Sequence, residues 1–503
     1  MGLKLTELKS FIDKKQHVVL TAEQLTNVNA SYEFLKKFAS NKVIYGINTG
    51  FGPMAQYKIS DDHLSQLQYN LIRSHSNGTG KPLTEIQVRT VMLCRLNTLS
   101  LGKSGISPGV VEKITEFLNA EIYPEIFEHG GVGASGDLVQ LAHLALGLIG
   151  EGFAYHKGKR YKTAEILSEK GIQPLELKLR DGLAIINGTS CMTGVGVLNY
   201  FHSKNLLNLS IAASSILNEI ISSYDDSFSA ELNNAKLHHG QQEVAKEMRN
   251  FLKGSKLIRK REEFLFSDTE ESRQSVFREK VQEYYSIRCV PQILGPVWDT
   301  LQDSYKILEQ EINSANDNPI VDLETQNVYH GGNFHGDYIS LEMDKMKIVI
   351  TKLTMLAERQ INYMMNAKMN EKFPPFLNKK TLGLNFGLQG MQFTATSTTA
   401  ENQTLSNPMY VHSITNNNDN QDIVSMGMNA AIITDRVIEN AYQVLAIEFI
   451  AICQAIDILE VTTNLSTESK KWYDAVRQLV PVCEDDVPQF EQIINLIGYL
   501  RTI

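Results

Sequence analysis

Apolar positions in the second half of the chain recur with the spacing of an α-helix. One predicted helix has an apolar face formed by Leu206, Leu209, Ala213, Ile216 and Ile220. A longer one has a face formed by Met346, Val349, Leu353, Leu356, Gln360 and Met364. Side chains three or four residues apart lie on one side of a helix and can be buried together. This half of the chain is therefore predicted to be a helical bundle.

The first part of the chain has a different pattern, in which Gly-rich loops separate short helices. Gly130, Gly131 and Gly133, for example, precede an apolar run from Leu138 to Leu148 that predicts a helix. We therefore predict an all-α fold in two parts. A mixed N-terminal domain covers residues 1–195, and a long central helical bundle covers residues 196–503.

Helix breakers and charges mark the limits of elements within the bundle. Pro374 and Pro375 should end the longer of the two helices, because proline cannot continue a helix. A loop-rich stretch should follow over residues 380–390. The charge-dense segment between Gly254 and Glu283 predicts a surface helical hairpin or a flap, which would serve as a lid or form a solvated face.

Length and composition favour a soluble enzyme. The chain has 503 residues, of which 43% are hydrophobic and 21% are charged, so it can bury a large core. Its formal charge of -9 leaves no basic surplus for phosphate groups, so nucleic acid and anionic membranes are poor partners. Five cysteines without metal-ligand or CxxC spacing predict reduced core residues of a cytoplasmic protein. The apolar run from Val444 to Leu459 contains Glu448 and Asp457, which favours a buried helix over a membrane span.

The tripeptide Ala134-Ser135-Gly136 has the composition needed to form an electrophile from the chain itself. If the amide nitrogen of Gly136 attacks the carbonyl carbon of Ala134 and Ser135 loses its hydroxyl, an imidazolone ring with an exocyclic methylene results. Gly136 lacks a Cβ, so its nitrogen can reach the carbonyl two residues back. An isolated tripeptide of this kind is far more often an ordinary Gly-rich turn before a helix, so the case depends on the rest of the chain.

Further motifs accompany the tripeptide in a fixed order. They occupy Tyr45–Gly52 (YGINTGFG), Asn187–Thr189 (NGT), Gln282–Gln292 (QEYYSIRCVPQ), Asn313–Pro319 (NSANDNP) and Gly331–Gly336 (GGNFHG). Together with Ala134-Ser135-Gly136 they resemble the histidine, phenylalanine and tyrosine ammonia-lyase family. The resemblance extends from about Tyr45 to Met426, which is most of the chain.

The resemblance implies a cofactor and a base. Its cofactor would be 4-methylidene-imidazole-5-one, formed from Ala134, Ser135 and Gly136, with no metal and no nucleotide. The methylidene carbon derived from Ser135 would take up the substrate amine and make it a better leaving group. Tyr45 would be the base that removes the proton from the carbon next to the substrate ring. Taken alone, Tyr45 would be interpreted as a core aromatic residue with a hydrogen-bonded hydroxyl.

The resemblance also implies the residues that bind the substrate. Arg288 would hold the substrate carboxylate, because a planar guanidinium can bind both oxygens at once. Tyr285 would orient the substrate or relay a proton, and Gln282 would form a hydrogen bond near the amine or the carboxylate. Asn187 would hold the imidazolone or the carboxylate, and Phe334 would pack beside the ring. The family is expected to form homotetramers in which loops from three subunits complete each active site.

Two positions bear on which aromatic amino acid is used. His75 offers a hydrogen bond to a polar ring substituent, either a phenol or an imidazole, and so disfavours phenylalanine. Gln421 stands where histidine lyases of the family carry a glutamate, and a neutral amide lacks the charge that would complement imidazolium. We therefore predict L-tyrosine as the substrate, with p-coumarate and ammonia as products.

Other functions remain open at this stage. A histidine ammonia-lyase would convert L-histidine to urocanate with the same machinery. A tyrosine 2,3-aminomutase would use the same ring, base and arginine but return the amine to the β-carbon. A helical scaffold without catalytic activity would be expected to lose Ser135, Tyr45 or Arg288, and all three are present. Asn316 replaces the threonine of many relatives, a departure that touches no predicted catalytic role.

Overall fold

The computed structural model describes residues 2–13, 15–266, 273–277 and 280–503. In this part of the chain the fold is predominantly α-helical, as predicted. The helices are α1 (Leu5–Asp13), α2 (Ala22–Phe38), α3 (Leu64–His75), α4 (Glu85–Ser100), α5 (Pro108–Asn119), α6 (Leu138–Leu148), α7 (Thr163–Lys170), α8 (Asp181–Ile186), α9 (Ser190–Ile220), α10 (Ala230–Asn234), α11 (His239–Phe251), α12 (Arg261–Phe264), α13 (Tyr285–Arg288), α14 (Val290–Ile312), α15 (Asp337–Met365), α16 (Ala367–Asn370), α17 (Gln389–Leu405), α18 (Gly427–Leu459), α19 (Thr467–Leu479) and α20 (Phe490–Leu500).

The described chain forms two compact units, each built from several segments. The first contains Met1–Asn199, Ser304–Asp344 and Pro408–Asp435, and the second contains Tyr200–Asp303, Lys345–Asn407 and Arg436–Ile503. Several unit boundaries fall inside long helices, such as α9 and α18. The division into domains at residue 195 stays a prediction.

The first unit combines helices with short antiparallel strands. The strands are β1 (Thr79–Pro82), β2 (Tyr123–Pro124), β3 (Phe127–His129), β4 (Phe153–His156), β5 (Lys159–Lys162), β6 (Ile320–Asp322) and β7 (Asn327–Tyr329). They pair as β1 with β3, β2 with β4 and β5, and β6 with β7. Capping boxes begin two of the helices, with Thr21 and Gln24 at α2 and Thr84 and Gln87 at α4. Helix α3 packs against α6 and α8, and these three helices support the site described below.

The regular secondary structure in the described part of the second unit consists of helices. The predicted apolar face of α9 is buried, including Leu206 and Leu209. The face on α15 is buried as well, except that Val349 is half-buried. The prediction that Pro374 and Pro375 end α15 was wrong, because the helix already ends at Met365. Asn366 adopts an extended conformation there, and its side chain accepts a hydrogen bond from the Lys368 N–H, which begins the separate helix α16.

Two further expectations concern the second unit. Of the charge-dense segment between Gly254 and Glu283, residues 267–272 and 278–279 lie outside the described residues, and the described part contains α12. Helix α18 is long and apolar enough to cross a membrane by length and composition, but 78% of its most apolar window is buried inside the protein. This agrees with the predicted buried helix over Val444–Leu459.

Candidate active site

Predicted catalytic and substrate-binding residues line a cavity of about 650 Å³ in the first unit. Those on its wall are Tyr45, His75, Ser135, Asn187 and Gln421. They come from separate parts of the sequence and meet only in the folded chain. A cavity of this size is large enough for a small organic substrate.

Ser135 belongs to a loop whose N-terminal side is firmly held. The carbonyl oxygen of Gly133 accepts a hydrogen bond from the Gly336 N–H at 3.0 Å and another from the Ser425 hydroxyl at 3.1 Å. Gly133 has a φ of 77°, and a Cβ there would lie 2.0 Å from the Ser425 oxygen. The glycine is therefore required for this close approach.

The C-terminal side of the same loop rests on the backbone that precedes α9. The Asp137 N–H donates to the carbonyl oxygen of Gly188 at 2.8 Å. Gly136 has a φ of 68°, and a Cβ there would lie 2.0 Å from that same oxygen. Any other residue at position 136 would therefore displace the loop.

Two buried polar side chains flank the loop. The Asp137 carboxylate accepts the N–H groups of Cys191 and Met192, both at 2.8 Å, in the unpaired first turn of α9. Burial raises the pKa of Asp137 to about 7, despite these hydrogen bonds. Asn187 lines the cavity, and among the described residues no donor reaches its side-chain oxygen. A buried acceptor left unpaired is costly, so this oxygen is suited to bind a ligand group.

Tyr45 lies in the cavity wall with its hydroxyl oriented by the backbone. The Gly52 N–H donates to the Tyr45 oxygen at 3.0 Å, and the ring contacts Phe51 edge-on at 6.3 Å. This hydrogen bond fixes the position of the Tyr45 oxygen in the cavity wall.

One face of α3 forms another side of the cavity. Leu67, Asn70, Leu71 and Ser74 recur at helical spacing on this face, and His75 ends it. The Nδ1 atom of His75 lies 2.9 Å from the Leu71 carbonyl oxygen, which can only accept. In the tautomer that donates from Nδ1 to this oxygen, Nε2 is an acceptor; the Ser74 hydroxyl also lies 3.1 Å from Nδ1.

Gln421 reaches the loop from an unusual turn. Its Nε2 donates to the Ser135 hydroxyl oxygen at 3.0 Å. Residues 417–419 all have φ values between 53° and 58°, so they form a left-handed turn closed by paired backbone hydrogen bonds between Asn416 and Gln421. Asn and Asp tolerate this conformation better than other non-glycine residues. The left-handed turn therefore explains why residues 417–419 are Asn and Asp.

The turn offers a test of how Gln421 is positioned. Asn418 is exposed and has a φ of 53°, so a β-branched residue there should strain the backbone without disturbing a core. We expect Asn418→Val to lower kcat/KM by about tenfold, since left-handed backbone costs roughly 1–2 kcal/mol per residue. Asn418→Gly keeps the conformation and should retain activity. Equal steady-state kinetics for the two variants would show that the turn does not position Gln421.

Three predicted site residues lie in the second unit, the substrate-binding Gln282 and Arg288 and the catalytic Tyr285. Gln282 and Arg288 line a cavity of about 270 Å³ there, and neither they nor Tyr285 lines the cavity around Ser135. An Arg288 N–H donates to the Glu283 carbonyl oxygen at 2.7 Å, and the guanidinium lies 4.6 Å from the Tyr285 ring centre. Tyr285 is 71% exposed. Within the described chain these residues therefore form a separate group.

Phe334 is likewise not part of the cavity wall around Ser135. It is half-buried in the turn that precedes α15. Conversely, Asn70, Asn417 and Asn420 line the cavity although they were not proposed as site residues. Asn70 could have been found from the helical spacing that connects it to Ser74. Among the described residues, no group of three or more His, Cys, Asp or Glu side chains could hold a metal ion.

Comparison with known proteins identifies the class of enzyme. The sequence model of the aromatic amino acid lyase family matches residues 3–478. A histidine ammonia-lyase of Geobacillus sp. (strain WCH70) is 39% identical over 96% of this chain and 92% of its own. An MIO-dependent tyrosine 2,3-aminomutase of Streptomyces globisporus is 37% identical over 100% of this chain and 95% of its own. The chain therefore belongs to the aromatic amino acid lyase family.

Solved structures agree with this assignment. Tyrosine aminomutase from Streptomyces globisporus has a TM-score of 0.96 at 37% identity, covering 100% of this chain and 95% of that one. Phenylalanine aminomutase from Pantoea agglomerans has a TM-score of 0.96 at 36% identity, covering 100% and 98%. These similar structures belong to enzymes named for different amino acids, so structural similarity does not identify the substrate.

The cofactor of this enzyme is the methylidene-imidazolone formed from Ala134, Ser135 and Gly136. The residues fit this group. Gly136 has a left-handed backbone conformation, which glycine adopts without strain, and Ala134 is only 5% exposed. The unpaired oxygen of Asn187 borders the same space. Once formed, the group supplies an electrophilic carbon at the cavity wall. The Ser135 hydroxyl described above is the precursor and leaves when the group forms.

Proposed function

We propose that this enzyme eliminates ammonia from L-tyrosine to give p-coumarate. The observation that carries the proposal is His75, which lines the cavity and whose Nε2 is an acceptor in the tautomer that donates from Nδ1 to Leu71. A phenol hydroxyl would donate to this nitrogen, whereas a phenyl ring has nothing to offer it. Gln421 adds a neutral amide, so the cavity lacks a carboxylate at the position where one would favour imidazolium.

The remaining roles follow from the chemistry of the reaction. Tyr45 removes the β-proton, and the electrophilic carbon derived from Ser135 would make the substrate amine a better leaving group from the α-carbon. Arg288 binds the substrate carboxylate, with Tyr285 and Gln282 beside it. Since these three residues belong to a group separate from the cavity around Ser135, we propose that they act in the site of another subunit of a homotetramer.

A tyrosine 2,3-aminomutase is the second candidate. Several similar proteins carry this name, including those of Streptomyces globisporus and Chondromyces crocatus. A tyrosine aminomutase retains the ammonia and the p-coumarate long enough for addition at the β-carbon. Histidine ammonia-lyase is the third candidate, since the Geobacillus relative carries that name.

The cytoplasm is the proposed location. The five cysteines are free in the structure, and three of them, Cys94, Cys191 and Cys453, are buried. Burial raises the pKa of the Cys94 and Cys453 thiols to about 12, which keeps them protonated and poorly reactive. Free core thiols are typical of a reducing compartment.

Substitution of His75 tests the choice of substrate. His75→Phe removes the acceptor, and an unpaired buried hydroxyl costs roughly 1 to 3 kcal/mol, so the preference for tyrosine over phenylalanine should fall by about tenfold to a hundredfold. The change should come mainly from lost tyrosine activity. His75→Asn keeps an acceptor at this position and should recover part of the preference. The measurement is kcat/KM for both amino acids with all three proteins.

Product analysis separates the candidate functions. The purified enzyme is given L-tyrosine, L-phenylalanine and L-histidine at matched concentration, and p-coumarate, cinnamate, urocanate and β-tyrosine are quantified. Faster formation of urocanate than of p-coumarate would contradict the tyrosine assignment. Accumulation of β-tyrosine in excess of p-coumarate would identify an aminomutase instead.

A further inference from the structure

A buried arginine of α4 holds the backbone segment next to Gly188, on which the ring-forming loop rests. Arg95 is fully buried, and its guanidinium donates to the carbonyl oxygens of Ile185 at 3.0 Å and Asn187 at 2.7 Å, as well as to that of Ala184. The carbonyl groups at the end of a helix lack partners within the helix and favour a cation. Arg95 therefore fixes the end of α8 and the residue that follows it.

Asn316 extends this contact to the next part of the segment. Its side-chain oxygen accepts from Arg95 at 3.1 Å, and its amide nitrogen donates to the Thr189 hydroxyl at 2.8 Å. The Thr189 hydroxyl in turn donates to the half-buried carboxylate of Glu311. Asn316 is thus an amide bridge, whose oxygen accepts from Arg95 and whose nitrogen donates to Thr189.

Gly188 lies between these two anchored residues and has no room for a side chain. A Cβ at this position would lie 2.3 Å from Arg95 Nη1 and 2.6 Å from the Asn316 side-chain oxygen. The Gly188 carbonyl oxygen is the one that accepts from the Asp137 N–H and limits the space at Gly136. The position of the Gly136 nitrogen is therefore set, through Gly188, by the arginine and the asparagine.

We infer that Arg95 and Asn316 are positioning residues for formation of the cofactor. In that reaction the Gly136 nitrogen bonds to the Ala134 carbonyl carbon, and the carbonyl oxygen leaves as water with the amide protons of Gly136 and Ser135. The Ser135 hydroxyl and its Cα proton leave as a second water. No electrons are exchanged, so no oxidant is needed. The inference concerns ring closure and is independent of the proposed substrate.

Intact mass gives a readout that does not depend on activity. Each completed ring lowers the chain mass by about 36 Da, the two waters lost in this modification. We expect Arg95→Met to reduce the fraction of ring-bearing chain by about tenfold or more, because misplacing reacting groups by 1 Å can cost about 100-fold in rate. Asn316→Leu should reduce it less, since Arg95 still holds Asn187.

Arg89 provides a matched control on the same helix. Its buried guanidinium also donates to backbone carbonyl oxygens, those of Phe11, Gln16 and Leu118, none of which belongs to the segment under the loop. Arg89→Met should therefore lower the thermal midpoint yet keep the full mass deficit. Arg95→Lys keeps the charge but not the planar fork and should recover part of the ring formation.

The outcomes decide the inference in either direction. A full mass deficit in Arg95→Met would overturn it, and so would an equal loss of ring in Arg89→Met and Arg95→Met. If Arg95→Met is insoluble, Asn316→Leu is judged against Arg89→Met by the same masses. A folded Asn316→Leu chain with a reduced ring-bearing fraction would support the inference, and one with a complete deficit would refute it.

Discussion

Replacing Ser135 by alanine should abolish the cofactor and nearly all turnover while leaving the fold intact. The wild-type chain should weigh about 36 Da less than its sequence, and Ser135→Ala should lose the dehydration that creates the methylidene carbon. Without that carbon the substrate amine is a poor leaving group. We expect kcat to fall by more than about 10,000-fold, the scale seen when a covalent catalytic group is removed.

Ser74 is a suitable control because its side chain lines the same cavity without belonging to the tripeptide. Ser74→Ala should keep the full mass deficit. The two variants should also have similar thermal midpoints, since the Ser135 hydroxyl that accepts from Gln421 is already lost when the cofactor forms. A fully active wild-type preparation with the unmodified mass would disprove the assignment of the cofactor.

The sequence predicted several residues that lie together in the folded chain, and their roles in catalysis stay predictions. Motif order identified Tyr45, Ser135, Asn187 and Gln421, and the folded chain brings them to one cavity. This worked because the glycines and polar residues around them are required by chemistry and by backbone conformation together. Gly136, for example, is needed both for ring closure and for the close approach of the Gly188 carbonyl.

Contacts between distant parts of the chain could not be predicted in the same way. No pattern in the sequence assigned Arg95 a function. Its partners at Ala184 to Asn187 are about ninety positions away, and only the fold brings them near. Asn316 was judged a neutral departure from the family, although it bridges Arg95 and Thr189. Sequence periodicity describes which face of a helix is buried, but not which backbone carbonyl a buried cation will meet.

Helix ends and loops were predicted less well than helix faces. The break after Met365 depends on the local capping by Asn366, which is a weaker signal than Pro374 and Pro375. The left-handed turn at residues 417–419 depends on three consecutive unusual φ values. Composition favours such a turn when Asn and Asp cluster, but it does not fix the turn's direction toward Ser135.

Removing the hydroxyl of Tyr45 should stop proton abstraction while preserving the shape of the cavity. Tyr45→Phe keeps the edge-on contact with Phe51 and loses only the oxygen that accepts from the Gly52 N–H. We expect kcat to fall by about 100- to 10,000-fold, the range for loss of a general base. The ring-forming tripeptide is untouched, so the variant should still show the complete mass deficit. Cofactor formation and proton abstraction are thereby measured separately.

Tyr57 supplies the matched control, because it lines the same cavity and is 65% exposed. Tyr57→Phe removes an equivalent hydroxyl and should leave kcat nearly unchanged. A substrate deuterated at the β-carbon adds a second measurement, since slow proton abstraction in Tyr45→Phe should increase the isotope effect on kcat. If Tyr45→Phe retained near-native kcat, or if Tyr57→Phe lost as much activity, Tyr45 would not be the base, and another group would have to take the proton.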